Sequence, residues 1–209
     1  MGDFRIFDLE KISKMNDALV FVETGTFKGD GVRHANSFGI FEDIHSIEIL
    51  DSLAEEAKNS FQSDEHINIH HGDSVSVLTE LLPSIKSNAV FWLDAHFPGA
   101  DLGERGYNDE KDAVKRIPLE YELKLIQERC NDYDDILIID DAWLYVDADF
   151  QWGTMNDHMT RFGHNTTREE LGAGKGADFI YENFAKTHDI QLLTHHQGYF
   201  IVIPKTSDK

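Results

Sequence analysis

Seven short segments of the chain carry the apolar patterning of β-strands, and between most of them apolar residues recur at helical spacing. The strands read over 18–22, 45–50, 67–71, 89–96, 135–142, 190–195 and 199–204. The first, fourth and fifth are continuous apolar runs, the pattern of parallel strands covered on both faces. Helices are predicted over 7–15, 31–36, 52–61, 75–82, 117–130 and 177–186. The third carries Leu53, Ala54, Ala57 and Phe61 on one face, and Pro118 sits in the first turn of the helix opening at Ile117, where its missing N–H costs nothing. The last two strands are joined by His196-Gln197-Gly198. So short a link makes a hairpin, so the final strand is antiparallel.

This order predicts an α/β fold, a doubly wound Rossmann-like sheet of about seven strands with right-handed crossovers. The 209 residues form a single domain, 1–209, with no internal repeat or linker. Two stretches resist assignment. Residues 97–116 make a polar, glycine-bearing loop longer than a routine connection, a functional lid or a disordered segment. Residues 143–175 are irregular and rich in aromatics, glycine and histidine.

In an open α/β sheet, ligands bind at the carboxyl ends of the strands. Those ends here carry Glu23, Glu48, Asp73, Asp94 with His96, and the pair Asp140 and Asp141. One acid after a strand is common punctuation; five strands in succession are harder to dismiss. After the first strand, Glu23-Thr24-Gly25-Thr26-Phe27-Lys28-Gly29 passes into a helix. Glycines there let a nucleotide-like ligand approach backbone amides, although the spacing is not the dinucleotide fingerprint. Glu48 is placed to accept hydrogen bonds from both hydroxyls of a ribose. Asp73 can face an adenine amino group, cap the following helix, or do both. Asp94, Asp140 and Asp141 end neighbouring strands, and three converging carboxylates repel one another unless a cation neutralises them. All-oxygen ligation favours Mg2+, Mn2+ or Ca2+ over zinc. His96 has the ordinary chemistry of a general base near neutral pH. His70-His71 and His195-His196 are poor chelates, because neighbours on a strand point to opposite faces.

The Glu-x-Gly-x-x-x-Gly segment resembles the first motif of class I S-adenosylmethionine-dependent methyltransferases, especially the catechol O-methyltransferase-like branch. An Asp after strand four and Asp-Asp after strand five resemble the metal-dependent members of that group, including sugar O-methyltransferases. Asp94-Ala95-His96 followed by Ile117-Pro-Leu-Glu-Tyr-Glu-Leu123 is also similar to a bacterial branch of methyltransferase-like proteins. The resemblance implies S-adenosylmethionine as cofactor, held by Glu23, Thr24, Gly25, Thr26, Gly29, Glu48, Asp73, Ser74 and Asp94. It further implies metal-ligand roles for Asp94, Asp140 and Asp141, with Mg2+ first among the cations, and catalysis by Asp94 and His96. The expected reaction is transfer of a methyl group to a hydroxyl, a sugar or glycan hydroxyl first and another small polyol next.

Composition narrows the alternatives. With 19 basic against 39 acidic residues the formal charge is −20, which repels phosphate backbones and argues against nucleic acid as partner. No apolar run is long enough to cross a bilayer, so no membrane partner is expected. The single cysteine, Cys130, excludes an intrachain disulfide, and with no export signal at the N-terminus a cytoplasmic location is the natural expectation. The oligomeric state is open, a homodimer being one form the sequence allows. Trp143, Tyr145, Phe150, Trp152 and Met155 either wall an acceptor pocket or fill core beneath a long loop, the second being the more ordinary use. Two rival functions remain. Asp147-Ala-Asp149 matches the Asp-x-Asp pattern of Mn2+-dependent nucleotide-sugar glycosyltransferases, and a non-catalytic S-adenosylmethionine-binding protein would share the fold.

Overall fold

In a computed structural model of the chain, the residues described are 3–100, 102–103, 106, 109–157, 167–171, 173 and 176–205. Seven strands form one sheet: β1 (Val20–Thr24), β2 (Asp43–Glu48), β3 (Ile67–His71), β4 (Ala89–Leu93), β5 (Ile136–Ile139), β6 (His188–Leu193) and β7 (Tyr199–Pro204). Their spatial order is β3-β2-β1-β4-β5-β7-β6. The first five are parallel, and β7 runs antiparallel to both β5 and β6. The predicted doubly wound sheet with an antiparallel last strand is the one observed.

Alternation along the strands explains the three layers. Val20 and Val22 pack on one side of β1, and Phe21 packs on the other. The first side is covered by α4 (Ser74–Leu81), α6 (Leu119–Arg129) and α8 (Asp178–Phe184). The second is covered by a 3-10 turn (Phe4–Ile6), α1 (Leu9–Ser13), α2 (Asp30–Ser37) and α3 (Asp51–Phe61). With both faces covered, β1, β4 and β5 are buried at every position, which is why they read as unbroken apolar runs.

Three boundaries differ from expectation. The predicted helix over 7–15 is shorter, running from Leu9 to Ser13 under an Asp8 cap, and a separate 3-10 turn capped by Asp3 precedes it. The loop after β4 contains α5 (Ala113–Arg116), capped by Asp112, and Phe97 N donates to Arg116 O at 2.8 Å, closing the loop on itself. Residues 143–175 hold a 3-10 turn from Ala142 and α7 (Arg168–Leu171), while 158–166 lie outside the described residues. Arg168 pins that region by donating to Trp143 O and Val146 O and pairing with Asp147. Away from the strand ends, the bottom of the sheet is clipped by Arg129, buried against Asp135 at 2.8 Å and donating to Ile85 O at 2.6 Å.

Candidate active site

The backbone register of the parallel strands sets the strand-end residues in one row. Gly72 N donates to Glu48 O (2.9 Å), Gly25 N to Ile47 O (2.9 Å), Asp94 N to Thr24 O (3.1 Å) and Asp140 N to Leu93 O (3.0 Å). A cavity of about 470 Å³ opens over this row. It lies where β1 and β4 meet, the point at which successive crossovers leave in opposite directions.

The turn after β1 forms the floor. Gly25 has φ +87°, and a Cβ there would lie 2.9 Å from the Asp94 carbonyl oxygen, so the ends of β1 and β4 can approach only through glycine. Glu23 is buried beneath the start of α2, where a Cβ on Gly31 would overlap its Oε1. Ser46 Oγ donates to Glu23 Oε2 at 2.5 Å, and Thr26 Oγ1 lies 2.6 Å from the same hydroxyl. Burial pushes the Glu23 carboxyl up to about 8, against the Ser46 bond and with help from Asp94 and Glu48. A buried acid at this position is well suited to a cationic group in the cavity.

Glu48 is fixed by two amides: Phe27 N donates to its Oε2 (2.8 Å) and Leu50 N to its Oε1 (2.9 Å). Each oxygen keeps a second lone pair, so the carboxylate can still accept from a diol. Burial raises it above the usual range despite those bonds. Asp73 caps α4 through Ser76 N at 3.0 Å and also lines the cavity. Glu23, Gly25, Thr26, Glu48, Asp73, Ser74 and Asp94 all line the cavity. Thr24 and Gly29 are not among the lining residues: Thr24 is buried within β1, and Gly29 is the N-cap of α2.

On the other side of Gly25, Asp94 and His96 line the cavity while Asp140 and Asp141 stand behind them. His96 Nδ1 lies 3.0 Å from Asp94 O and 3.5 Å from Asp94 Oδ1, and Nε2 lies 2.9 Å from Asp141 Oδ2. Both ring nitrogens face acceptor oxygens, which fixes the orientation of the ring. Burial would raise the Asp141 carboxyl, but the His96 charge and hydrogen bond hold it below its ordinary value. Asp140 goes the other way: burial, with Asp94 and Asp141 close by, pushes it well up. Its Oδ1 accepts from the Asp141 amide at 2.7 Å. Ligand atoms of Asp94, His96 and Asp141 lie within 4.8 Å of one another. Among the described residues this trio has metal-ligand spacing, with His96 in the place expected for Asp140. One nitrogen and two carboxylates fit a divalent cation, and they suit Mn2+, Fe2+ or Zn2+ as well as Mg2+.

Backbone strain concentrates here. Phe27, Phe97, Asp141 and His196 all have φ between +43° and +54°, and each borders the cavity or the cluster behind it. Left-handed backbone is uncommon for non-glycine residues and gathers at functional sites. The loop after β4 supplies cavity wall through Phe97, Pro98, Gly99 and Leu102.

The aromatic segment divides as a core does. Trp143, Tyr145, Phe150 and Met155 are buried, and Trp152, 38% exposed, lines the cavity. Asp147 and Asp149 do not line it. His45 Nδ1 and His70 Nε2 lie 3.1 Å apart across the sheet, within hydrogen-bond distance. Two residues were not singled out from the sequence. Glu122 on α6 is fully buried beside Ser74 and Thr24, and burial lifts its carboxyl to about 7. Its place three residues after Leu119, on the apolar stripe of the helix, was the available signal. His196 reaches the cavity from the β6–β7 turn.

No family model matches the sequence, and no curated protein matches it. Solved structures do. A methyltransferase from Podospora anserina bound to S-adenosylhomocysteine (SAH) superposes with a TM-score of 0.62 at 12% identity, covering 98% of this chain and 80% of that one. An O-methyltransferase from Bacillus cereus in complex with SAH gives 0.57 at 13% identity, over 94% and 79%. The O-methyltransferase TomG from Streptomyces achromogenes, in complex with S-adenosylmethionine, gives 0.56 at 16% identity, over 94% and 78%. The chain therefore has the class I S-adenosylmethionine-dependent methyltransferase fold.

Proposed function

We propose that the protein is an S-adenosylmethionine-dependent O-methyltransferase, assisted by a divalent cation, acting on a hydroxyl of a sugar or another small polyol. One observation carries this reading: a single cavity over the β1/β4 switch has Glu48 and Asp73 at one end and the Asp94–His96–Asp141 cluster at the other. The superposed structures that hold SAH or S-adenosylmethionine share this fold and support the same cofactor here.

Glu48 holds the ribose diol and Asp73 the adenine amino group, while Glu23 faces the ammonium at the methionine end. Asp94 or His96, both at the cavity surface, takes the proton of the acceptor hydroxyl; His96 does so as the neutral imidazole when it does not ligate a cation, with Asp141 holding the ring from behind, and Asp94 does so otherwise. Asp94, His96 and Asp141 would hold a divalent cation, and such a cation would supply Lewis acidity toward a hydroxyl. The chain's further contribution is alignment, since a sulfonium is already an activated donor.

The Asp-x-Asp reading as a glycosyltransferase has less support, because Asp147 is spent on Arg168 and stands outside the cavity. The test is methyl transfer from labelled S-adenosylmethionine to saccharide acceptors, with added divalent cations or with chelator. Asp141→Ala is expected to abolish cation-stimulated turnover with SAH affinity within about threefold of wild type, under about 1 kcal/mol. Loss of SAH binding in Asp141→Ala would break the division into two half-sites.

A further inference from the structure

Two tryptophans line the cavity, the buried Trp92 and the exposed Trp152, and the exposed one is tied down by its backbone. Trp152 N donates to His196 O (3.1 Å), Gln151 N to Thr194 O (2.9 Å), and His196 N to Gln151 Oε1 (3.1 Å). Its ring lies 4.6 Å from the His196 ring at 30°, and His196 is in turn stacked on His195 at 4.0 Å. The N-terminal strap is tied to the same wall: Asp3 N donates to Tyr199 Oη (2.9 Å), and that hydroxyl lies 3.2 Å from His196 Nδ1. The strap is seated by Phe4, whose ring sits 4.3 Å from Trp92. Two backbone bonds, Ala142 N to Gly198 O and Trp143 N to Gln197 O, fasten this turn to the residues that follow Asp141. The wall thus adjoins the Asp94–His96–Asp141 cluster on the side of the sheet away from Glu48 and Asp73.

The geometry points to this wall, Trp152 and His196 with the strap residues Asp3 and Arg5, as the acceptor subsite, shaped for a neutral saccharide ring. The inference rests on reading the cavity as a methyltransferase site. A sugar presents an apolar C–H face, which stacks on an indole, and an edge of hydroxyls, which needs donors and acceptors. Arg5 and Asp3, paired at 2.8 Å, offer both at the cavity wall, and Asp30 lies within electrostatic reach of Arg5. A bare aromatic acceptor would desolvate those charged groups without replacing their hydrogen bonds. An anionic acceptor is disfavoured, because carboxylates outnumber Lys and Arg six to three among the lining residues. Immobilising a stacking surface in advance lowers the entropic cost of binding, and the strained backbone of His196 (φ 53°) is consistent with a position kept for function.

Tryptophan emission reads this directly, since Trp92 and Trp143 are buried and Trp152 is exposed. Methyl glycosides of hexoses and 6-deoxyhexoses are titrated into SAH-loaded protein, with catechol in parallel. A saturable emission change with a glycoside is expected in wild type and is expected to vanish in Trp152→Phe. With the responding glycoside as acceptor, Trp152→Ala is expected to raise KM about tenfold while SAH affinity stays unchanged and Trp152→Phe retains most turnover. Glycosides that leave emission unaltered in SAH-loaded protein would overturn the subsite and leave the methyltransferase reading standing. Catechol acting where glycosides do not would overturn the saccharide class. Failure of SAH to bind wild type would remove both readings together.

Discussion

Replacing Glu23 by Gln tests the electrostatic account of the cavity floor. The side chain is 2% exposed, lies against Gly31 and accepts from Ser46, and Gln preserves both shape and that acceptor. In the folded protein the carboxyl titrates at about 8, against 4.5 for the free side chain. Between those values the folded state binds the proton that the unfolded chain has released. Wild-type stability therefore falls as pH rises from 4.5 to about 8, and is flat in this respect outside that window. At 1.36 kcal/mol per pH unit, the ceiling on this loss is about 5 kcal/mol. Relaxation around an ionised buried group, with an effective dielectric near 20, reduces the expected loss to about 1–2 kcal/mol. Other raised acids, Glu48, Glu122 and Asp140, are common to both proteins and cancel in the difference. Urea unfolding of wild type and Glu23→Gln is to be compared from pH 5 to pH 9. The variant is expected to match wild type at pH 5 and to exceed it by about 1–2 kcal/mol at pH 9, roughly 3–6 °C in Tm. A difference that does not change with pH, or a variant less stable at pH 9, would refute the reasoning.

Two further substitutions probe other parts of the structure. Gly25→Ala forces a left-handed alanine whose Cβ meets the Asp94 carbonyl oxygen; it is expected to cost about 1–2 kcal/mol in backbone strain and, read by calorimetry, to weaken SAH binding more than tenfold. Arg129→Ala leaves Asp135 buried without its partner; a loss of about 3–5 kcal/mol is expected in urea unfolding, with SAH affinity intact in the protein that remains folded, because Arg129 is not a cavity residue.

How far the sequence could carry this reading depends on which residues are asked about. The strands were plain because a sheet covered on both faces leaves no polar position in a run such as Ala89–Leu93. Glu48, Asp73 and Asp94 followed from the strand ends alone, since parallel register brings those ends level. Glu122 did not, although it falls on the apolar stripe: in the same helix the apolar Leu125 is half-buried where Glu122 is fully buried, the reverse of what residue type suggests. The exchange of Asp140 for His96 in the trio accompanies a left-handed turn at Asp141 (φ 54°), a conformation no residue-type preference announces. The Trp152–His196 contact joins an irregular segment to a hairpin turn by backbone bonds, and backbone bonds between loops leave no pattern in side-chain polarity.

The central claim is that the cavity over the β1/β4 switch holds S-adenosylmethionine between Glu48 and Asp94. Calorimetric titration of SAH into the protein, with and without Mg2+ or Mn2+, tests it most directly. Micromolar binding, about −8 kcal/mol, weakened more than tenfold in Gly25→Ala and weakened also by removing the Glu48 carboxylate, is the expected result. Absence of binding under every condition, or binding indifferent to both substitutions, would contradict it.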